Sequence, residues 1–178
     1  SFGSLSKNAI LALNNGAKQG GFYHNTGEGG LSPYHLQGGD VVWNIGTGYF
    51  SCRDEQGNFN YEQYTKRAVL DNVKMIEIKF SQGAKPGHGG ILPKEKVTDE
   101  IADIRLVGKG YDIISPPTHS AFSTPLELMD FVKLLRKGSG GKPIGIKICI
   151  GNKTEFVAIC KAMVETKTYL DFITVDGG

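Results

Sequence analysis

The amino-acid sequence predicts an α/β fold in which strands and helices alternate around a parallel sheet. Short apolar runs bounded by glycine alternate along the chain with stretches whose apolar residues recur at helical spacing. Such βαβ units have right-handed crossovers, which leave a closed barrel or an open doubly wound sheet as the two main architectures. The barrel is favoured because unusual polar and glycine-rich segments follow the predicted strands, and a barrel gathers such segments on one face. These segments are residues 25–26, 79–85, 115–119 and 176–178.

Five helices are predicted from the apolar spacing and from capping residues. They cover residues 6–18, 61–73, 98–107, 124–138 and 152–166. The fourth has the clearest start signal, because Thr124 and Glu127 have the spacing of a capping box and a proline occupies the first helical position. Ser6, Thr98 and Asn152 are the expected N-caps of three other helices.

Six strands are expected, near residues 1, 22, 41, 74, 143 and 171. Two of them carry a lysine that an apolar strand does not ordinarily hold. Lys79 lies near the end of the alternating strand 73–80, and Lys147 lies inside the otherwise apolar run 143–150. A lysine in such a place needs an ionic partner or an opening to water. Both are therefore either ion-paired or snorkelling structural lysines, or they face a ligand at the mouth of the fold.

The composition argues against several classes of protein. A length of 178 residues suits one core, so residues 1–178 are expected to form a single domain. The net charge of +2 is small and its lysines and arginines are dispersed, which does not indicate nucleic-acid binding. No apolar stretch approaches the roughly 18 residues of a membrane helix, and the start lacks the pattern of a signal peptide. A soluble, cytoplasmic protein is the resulting expectation.

The cysteines and histidines indicate neither a disulfide framework nor a metal site. Three cysteines at wide spacing form no zinc pair, and no two histidines have metal-ligand spacing. Cys149 and Cys160 occupy apolar positions and are expected in the core. Cys52 lies in a predicted loop beside Arg53, which makes it a candidate for an exposed thiol whose pKa is lowered by the neighbouring charge.

Glycine is the most unusual feature of the composition, with 25 residues, about twice the usual share of roughly 7%. The loop 81–90 combines several glycines with Gln82, Lys85 and His88 but lacks the spacing of a phosphate-binding P-loop. A lysine together with glycine amides suits a carboxylate ligand. The alternative is a solvated loop with no ligand.

Seven blocks of the sequence carry a more specific signal. They read SFGSLS at 1–6, NTGEGG at 25–30, IEIKFSQGAKPG at 76–87, LP at 92–93, ISPP at 114–117, GKPIGIK at 141–147 and VDGG at 175–178. In this order they resemble the FMN-binding synthase domain of glutamate synthase and its stand-alone, archaeal-type relatives, over essentially the whole chain. The run 79–87 is the most specific part, and CIGNK at 149–153 is closer to the stand-alone relatives.

The resemblance implies a (β/α)8 barrel of the TIM type that binds FMN. The implied reaction is part of glutamate biosynthesis and nitrogen assimilation: 2-oxoglutarate and glutamine-derived ammonia give 2-iminoglutarate, which reduced FMN converts to L-glutamate. Ferredoxin or NADPH would donate the electrons. Another FMN barrel acting on a different small acid, and a non-catalytic fragment that serves in folding or assembly, are the alternatives.

The resemblance also implies roles for individual residues. Lys79, Gln82 and Lys85 would face the flavin ring and the carboxylates of the 2-oxoacid, as the catalytic set. Glu28 would join Gln82 and Lys85 in substrate binding. The remaining assignments are cofactor-binding residues: Ser1, Phe2, Gly3, Ser4, Asn25, Thr26, Lys147, Asp176, Gly177 and Gly178. Lys147 would contact the ring edge that becomes anionic on reduction.

Two departures from the resembled family shape the remaining expectations. Six expected strands are about six of the family's eight β/α units, so we expect an incomplete barrel with two exposed sheet edges. Such edges invite association, which predicts an oligomer or a place in a longer chain. The three cysteines that hold the family's [3Fe–4S] cluster lie beyond the matching blocks, so no cluster is assigned to this chain.

Overall fold

The computed structural model describes residues 1–80, 84 and 88–177, and a parallel sheet forms its centre. The chain order of the strands is β1 (His24–Asn25), β2 (Val41–Ile45), β3 (Val73–Lys79), β4 (Ile91–Leu92), β5 (Ile113–Ile114), β6 (Ile144–Ile148) and β7 (Phe172–Val175). Five of them form one sheet in the order β1-β2-β3-β6-β7, and all neighbours in it are parallel. The sheet curls into a half-barrel, which confirms the predicted α/β class with a parallel sheet.

Five helices alternate with these strands, as the sequence predicts. They are α1 (Lys7–Gly20), α2 (Tyr61–Ala68), α3 (Asp99–Arg105), α4 (Pro125–Gly138) and α5 (Lys153–Thr166). The expected caps form: Ser6, Thr98 and Asn152 each accept a hydrogen bond from a backbone N–H of the first turn, and Thr124 and Glu127 complete a capping box. Helix α2 is shorter than predicted, because the chain turns after Ala68 and the Val73 N–H donates to the Leu70 carbonyl.

Two expectations about strands are wrong. The strand expected near residue 1 is absent, so the main sheet has five strands within the described ranges. Residues 1–5 form a tight turn instead, in which the Leu5 N–H donates to the Ser1 carbonyl and Gly3 adopts a φ of 97°. In addition, Ser115 does not follow a strand of the parallel sheet, because β4 and β5 pair with each other as a separate antiparallel sheet.

The two faces of the main sheet have different chemistry, because side chains alternate along each strand. One face packs against α2, α4 and α5 and forms the main core. Its largest fully buried side chains include Trp43, Tyr64, Ile76, Leu135 and Ile146. The opposite, concave face receives the intervening polar residues, so the sheet itself separates the core from the candidate site.

A second, smaller core joins the start of the chain to α3 and to the β4–β5 pair. It consists of Phe2, Ile10, Phe50, Leu92, Ile101 and Ile113. Arg105 at the end of α3 lies 4.8 Å from the Phe50 ring centroid and donates a 2.9 Å hydrogen bond to the Phe2 carbonyl. These contacts fix the turn at residues 1–5 beside the edge of the sheet.

The prediction of an exposed Cys52 is wrong. The turn at residues 49–52 packs Cys52 into the main core with Tyr49 and Tyr64, where its side chain is fully buried. Burial raises the pKa of this thiol despite the neighbouring Arg53 and Arg67. Within the described ranges, no helix is both long and apolar enough to cross a membrane.

Helix α1 contains a glycine whose replacement is expected to stabilise the protein. A Cβ at Gly16 would meet nothing within 4 Å. Gly16→Ala should raise the free energy of unfolding by roughly 0.5–1 kcal/mol, because alanine loses less backbone entropy in a helix. Gly21→Ala is the matched control, since its Cβ is equally free but its φ is 66°. The control should destabilise the protein in urea unfolding; equal effects of both substitutions would contradict the argument.

Candidate functional site

A cleft of about 940 Å³ lies on the concave face of the sheet. All five strands of the sheet contribute to its lining, together with the loop that follows β1. Five of the residues proposed from the sequence line it: Ser1, Asn25, Glu28, Lys79 and Lys147. The sequence-based assignments therefore converge on one cavity, although the residues are spread over 147 positions of the sequence.

The strand register explains why these side chains meet. Lys79 of β3 lies opposite Lys147 of β6, which in turn lies opposite Thr174 of β7. One row nearer the amino ends of the strands, Asn44 of β2 lies opposite Glu77. Because parallel strands place residues of equal register side by side, the two lysines form a neighbouring pair of cations towards the carboxyl ends.

Lys79 is paired with Glu28. Its Nζ lies 3.0 Å from Glu28 Oε2, and both side chains are largely buried, with 13% and 25% of their surfaces exposed. Glu28 fits between two glycines: a Cβ would lie 3.1 Å from the Glu28 Cβ if placed at Gly46, and 2.6 Å from Glu28 Oε1 if placed at Gly90. The absence of side chains at these two positions therefore makes room for the carboxylate.

Gly90→Ala is expected to displace the Glu28 carboxylate. The new methyl group would overlap Oε1, and a flexible side chain moves more easily than the backbone, so the Lys79–Glu28 pair should separate with a stability loss of only about 1 kcal/mol. Gly108→Ala is the control, because a Cβ there meets nothing within 4 Å. Crystal structures of both variants provide the test; a pair still at 3.0 Å in Gly90→Ala would contradict this interpretation.

Lys147 has a looser ionic environment. Its Nζ lies 3.7 Å from Asp176 Oδ1, which is too long for a hydrogen bond, and both side chains remain more than a quarter exposed. Asp176 itself follows β7 and does not line the cleft, but it lies beside Lys147, which does. The site thus combines two lysine cations with two neighbouring carboxylates. An anionic ligand can bind to such a site when its own carboxylate replaces a protein carboxylate as the partner of a lysine.

Glu77, a polar centre of the cleft, was not among the site residues predicted from the sequence. Only 2% of Glu77 is exposed. Its Oε1 accepts hydrogen bonds from Asn25 Nδ2 at 2.8 Å and from Asn44 Nδ2 at 2.6 Å, and its Oε2 accepts one from Thr174 Oγ1 at 2.7 Å. One feature of the sequence could have indicated Glu77. Side chains alternate between the two faces along β3, which places Glu77 on the same face as Lys79.

His119 was also missed as an individual site residue. Its Nε2 lies 2.8 Å from the Lys79 carbonyl oxygen, which can only accept, so Nε2 carries the proton. Its Nδ1 then accepts from the Tyr49 hydroxyl at 2.9 Å, and that hydroxyl accepts from the Ala121 N–H. Burial lowers the pKa of His119 to about 4. The neutral ring therefore anchors the end of β3 where Lys79 enters the cleft.

Several proposed cofactor residues have other surroundings. The Phe2 side chain lies in the smaller core, and its carbonyl accepts from Arg105. Thr26 is buried and accepts from the Asn44 N–H while donating to the Gly27 carbonyl. Gly3, Ser4, Asp176 and Gly177 are likewise absent from the lining of the cleft. Gln82, Lys85 and Gly178 lie outside the described residues.

The described part of the chain contains no group of three or more histidine, cysteine, aspartate or glutamate side chains that could hold a metal ion. The chemistry of the cleft is instead that of ammonium, carboxylate, amide and hydroxyl groups. Such a set binds and orients a ligand and stabilises charge on it. It suits an anionic organic ligand better than an isolated metal ion.

Comparison with known proteins gives a consistent match. The family model described as "Conserved region in glutamate synthase" matches residues 1–178. The chain is 43% identical over 179 residues to the glutamate synthase large subunit-like protein YerD of Bacillus subtilis strain 168, covering 99% of this chain and 34% of that protein. It is 32% identical over 180 residues to the archaeal-type glutamate synthase [NADPH] of Thermotoga sp. strain RQ2, covering 99% and 32%.

A third relative is matched over a smaller share of its own length. The large chain of glutamate synthase [NADPH] of Bacillus subtilis strain 168 is 34% identical over 155 residues, which cover 83% of this chain and 9% of that protein. The chain thus spans about a third of the length of the first two relatives and a small part of the third. Because the family model covers the chain from end to end, the chain belongs to the glutamate synthase family.

Proposed function

We propose that this chain forms part of an FMN-dependent oxidoreductase that reduces 2-iminoglutarate, made from 2-oxoglutarate and ammonia, to L-glutamate. The observation that carries the proposal is the pairing of Lys79 with Lys147 on adjacent strands, at the carboxyl-end side of the cleft. Active sites of parallel barrels form at that end. Membership of the glutamate synthase family supports the same reaction class.

The proposed complete fold is a (β/α)8 barrel of the TIM type. In the described residues β1 and β7 form the two edges of the curled sheet, which supports the proposal without closing the barrel. Further β/α units, or association with another chain, would cover these edges and enclose the cleft. Five strands of the main sheet then amount to about five of eight units, one fewer than the sequence suggested.

The residues of the cleft fit a flavin. Its volume of about 940 Å³ lies within the range of roughly 300–1,000 Å³ typical of cofactor sites. Val42, Met75 and Phe172 add apolar surface to the lining, which suits an aromatic ring. Lys147 would stabilise negative charge on the ring edge, and Ser1 and Asn25 would contribute polar contacts. When bound, FMN supplies the hydride for the reduction.

The second lysine is proposed to bind the substrate. 2-Oxoglutarate carries two carboxylates, and Lys79 offers a cation whose side chain is already held by Glu28. A substrate carboxylate would share that cation, while largely buried surroundings strengthen the contact. Gln82 and Lys85, which follow β3 in the sequence, are proposed to assist. The proposed nitrogen source is ammonia derived from glutamine.

The proposed electron donor is NADPH, because the names of the archaeal-type relatives specify it. Ferredoxin is the alternative donor. No [3Fe–4S] cluster is proposed for residues 1–178.

A flavin-binding assay tests this function directly. The protein is mixed with FMN and desalted, and its visible spectrum is then recorded. Retained and shifted flavin absorbance is expected, followed by reoxidation of the reduced flavin only when 2-oxoglutarate and ammonium are both present. Reoxidation with other small 2-oxoacids but not with 2-oxoglutarate would reassign the substrate. A folded protein that retains no flavin would refute the cofactor proposal for this chain.

A further inference from the structure

Glu77 connects three other strands of the sheet through one carboxylate. Its partners are Asn25 of β1, Asn44 of β2 and Thr174 of β7, at 2.8, 2.6 and 2.7 Å. All three partners donate, so the carboxylate acts only as an acceptor. Three donors offset the cost of burying this group. Tying strands together does not by itself require a carboxylate, because apolar packing also joins strands.

The contact with Asn25 has a consequence that the other two contacts lack. Because Glu77 accepts, it fixes which end of the Asn25 amide faces it, namely Nδ2. The Oδ1 of Asn25 then faces the loop after β1, where it accepts from the Gly27 N–H at 2.9 Å. Gly27 has a φ of 66° and begins the turn that carries Glu28. The orientation of the Asn25 amide therefore determines whether the hydrogen bond from the Gly27 N–H, which fixes this turn, can form.

These contacts form a closed path that returns to β3. From Glu77 the path runs through Asn25 and Gly27 to Glu28, whose Oε2 lies 3.0 Å from Lys79 Nζ. Lys79 lies two residues after Glu77 and on the same face of the strand. We propose that Glu77 is a positioning residue, which orients the Asn25 amide and thereby places Glu28 against Lys79. The use of Lys79 in substrate binding rests on the proposed function, whereas the path itself does not.

Replacement by leucine removes the acceptor and keeps most of the bulk. In Glu77→Leu nothing accepts from Asn25 Nδ2, so the Asn25 amide is no longer oriented towards Gly27. Glu77→Gln is the matched comparison, because its carbonyl oxygen can keep the place of Oε1 while its amide group donates to the Thr174 hydroxyl. The Gly27 amide should therefore exchange its hydrogen at least about tenfold faster in Glu77→Leu, as the loss of one charge-assisted hydrogen bond predicts, and should stay within about threefold of the original rate in Glu77→Gln.

Thr174→Val is the matched control for a purely structural role. It removes the third hydrogen bond to Glu77 and keeps the size of the side chain, but it does not touch the path through Asn25. Gly27 exchange, measured by NMR, should stay within about twofold of the original protein. An equal acceleration in Glu77→Leu and Thr174→Val would mean that Glu77 only stabilises the sheet, and the proposal would be wrong.

A double variant provides a rescue. In Asn25→Asp, a carboxylate faces Glu77, and like charges should speed Gly27 exchange as in Glu77→Leu. Adding Glu77→Gln reverses the direction of the hydrogen bond: the glutamine amide introduced at position 77 donates to the aspartate introduced at position 25, whose other oxygen still accepts from Gly27. Asn44 can turn its own amide to accept as well, because its buried Oδ1 has no hydrogen-bond partner among the described residues. Exchange should return to within about threefold of the original rate. This pair also serves if Glu77→Leu does not fold. A folded double variant without recovery would overturn the proposal.

Kinetics supply the functional measurement. Glu77→Leu and Asn25→Asp should each raise the KM for 2-oxoglutarate about tenfold and lower kcat less, because the position of Lys79 is lost rather than its charge. The double variant should recover most of the loss seen in Asn25→Asp. Gly27 exchange needs no flavin, so it tests the positioning role even if the original protein proves not to bind FMN. A failure to bind FMN would refute the proposed function, whereas unchanged Gly27 exchange in Glu77→Leu would refute the inference.

Discussion

Lys147→Met should weaken the proposed binding of FMN by about 10- to 100-fold, the range expected for the loss of one hydrogen bond to a charged group. Methionine keeps the length and apolar stem of lysine, so the strand and the cleft should retain their shape. Lys147 lies beside Lys79 in register and only 3.7 Å from Asp176, so its removal leaves Asp176 facing the ligand with less compensation. Repulsion between that carboxylate and an anionic ligand adds to the effect.

Titration with FMN, followed by flavin absorbance, measures the dissociation constant. Lys161→Met is the matched control, because this lysine is exposed on α5. It removes the same charge from the protein without altering the cleft, and its affinity should match the original. The loss in Lys147→Met should also be larger for reduced than for oxidised flavin, because the reduced ring carries more negative charge. An unchanged dissociation constant in Lys147→Met would remove this residue from the site.

Acidification should destabilise the protein before its carboxylates are protonated. Burial lowers the pKa of both His119 and His35 from 6.5 to about 4. In the unfolded chain each imidazole binds a proton near pH 6.5, whereas in the folded protein each stays neutral down to about pH 4. Their stabilising contributions are therefore complete above pH 6.5 and are lost as the pH falls towards 4. Each contribution amounts to about 3 kcal/mol at most.

Urea unfolding between pH 7 and pH 4.5 measures this effect. The free energy of unfolding should fall by up to about 1.4 kcal/mol per pH unit for each of the two histidines. His119→Gln should be less stable at pH 7, since it loses the contact with Tyr49. Its free energy of unfolding should also change less with pH, because only His35 of the two histidines then contributes to the slope. Gly108→Ala, which changes no titratable group and whose Cβ would meet nothing within 4 Å, should keep the original slope. A slope that is the same in His119→Gln and in the original protein would contradict the assignment.

Local signals were sufficient for most of the fold. The Thr124 capping box, the N-cap at Asn152 and the alternation of residues 73–80 depend on neighbours in sequence, and each produced the predicted element. The wrong strand near residue 1 shows the limit of this approach, because the turn there depends on Gly3 adopting a positive φ. A glycine permits a positive φ and a negative φ alike, so its presence in the sequence does not by itself predict this turn.

The candidate site was only partly predictable, because it depends on strand register. The two lysines stood out as charges in apolar strands, and Asn25 and Glu28 belong to a recognisable block of sequence. Glu77, by contrast, meets Asn44 and Thr174 at separations of 33 and 97 residues. Nothing local fixes which residues of β2 and β7 lie beside it. Its importance became evident only when the sheet defined its neighbours.

The position of the single tryptophan has a practical consequence. Trp43 is fully buried on the core face of β2, with its ring stacked on Tyr64 at a centroid distance of 5.6 Å, and the next residue, Asn44, points into the cleft. Its fluorescence therefore comes from one known place, separated from the cleft by the thickness of one strand. Flavins absorb where tryptophan emits, so occupancy of the cleft by the proposed FMN should be visible as quenching through energy transfer. The protein thus contains its own optical reporter, and ligand binding can be followed without a label.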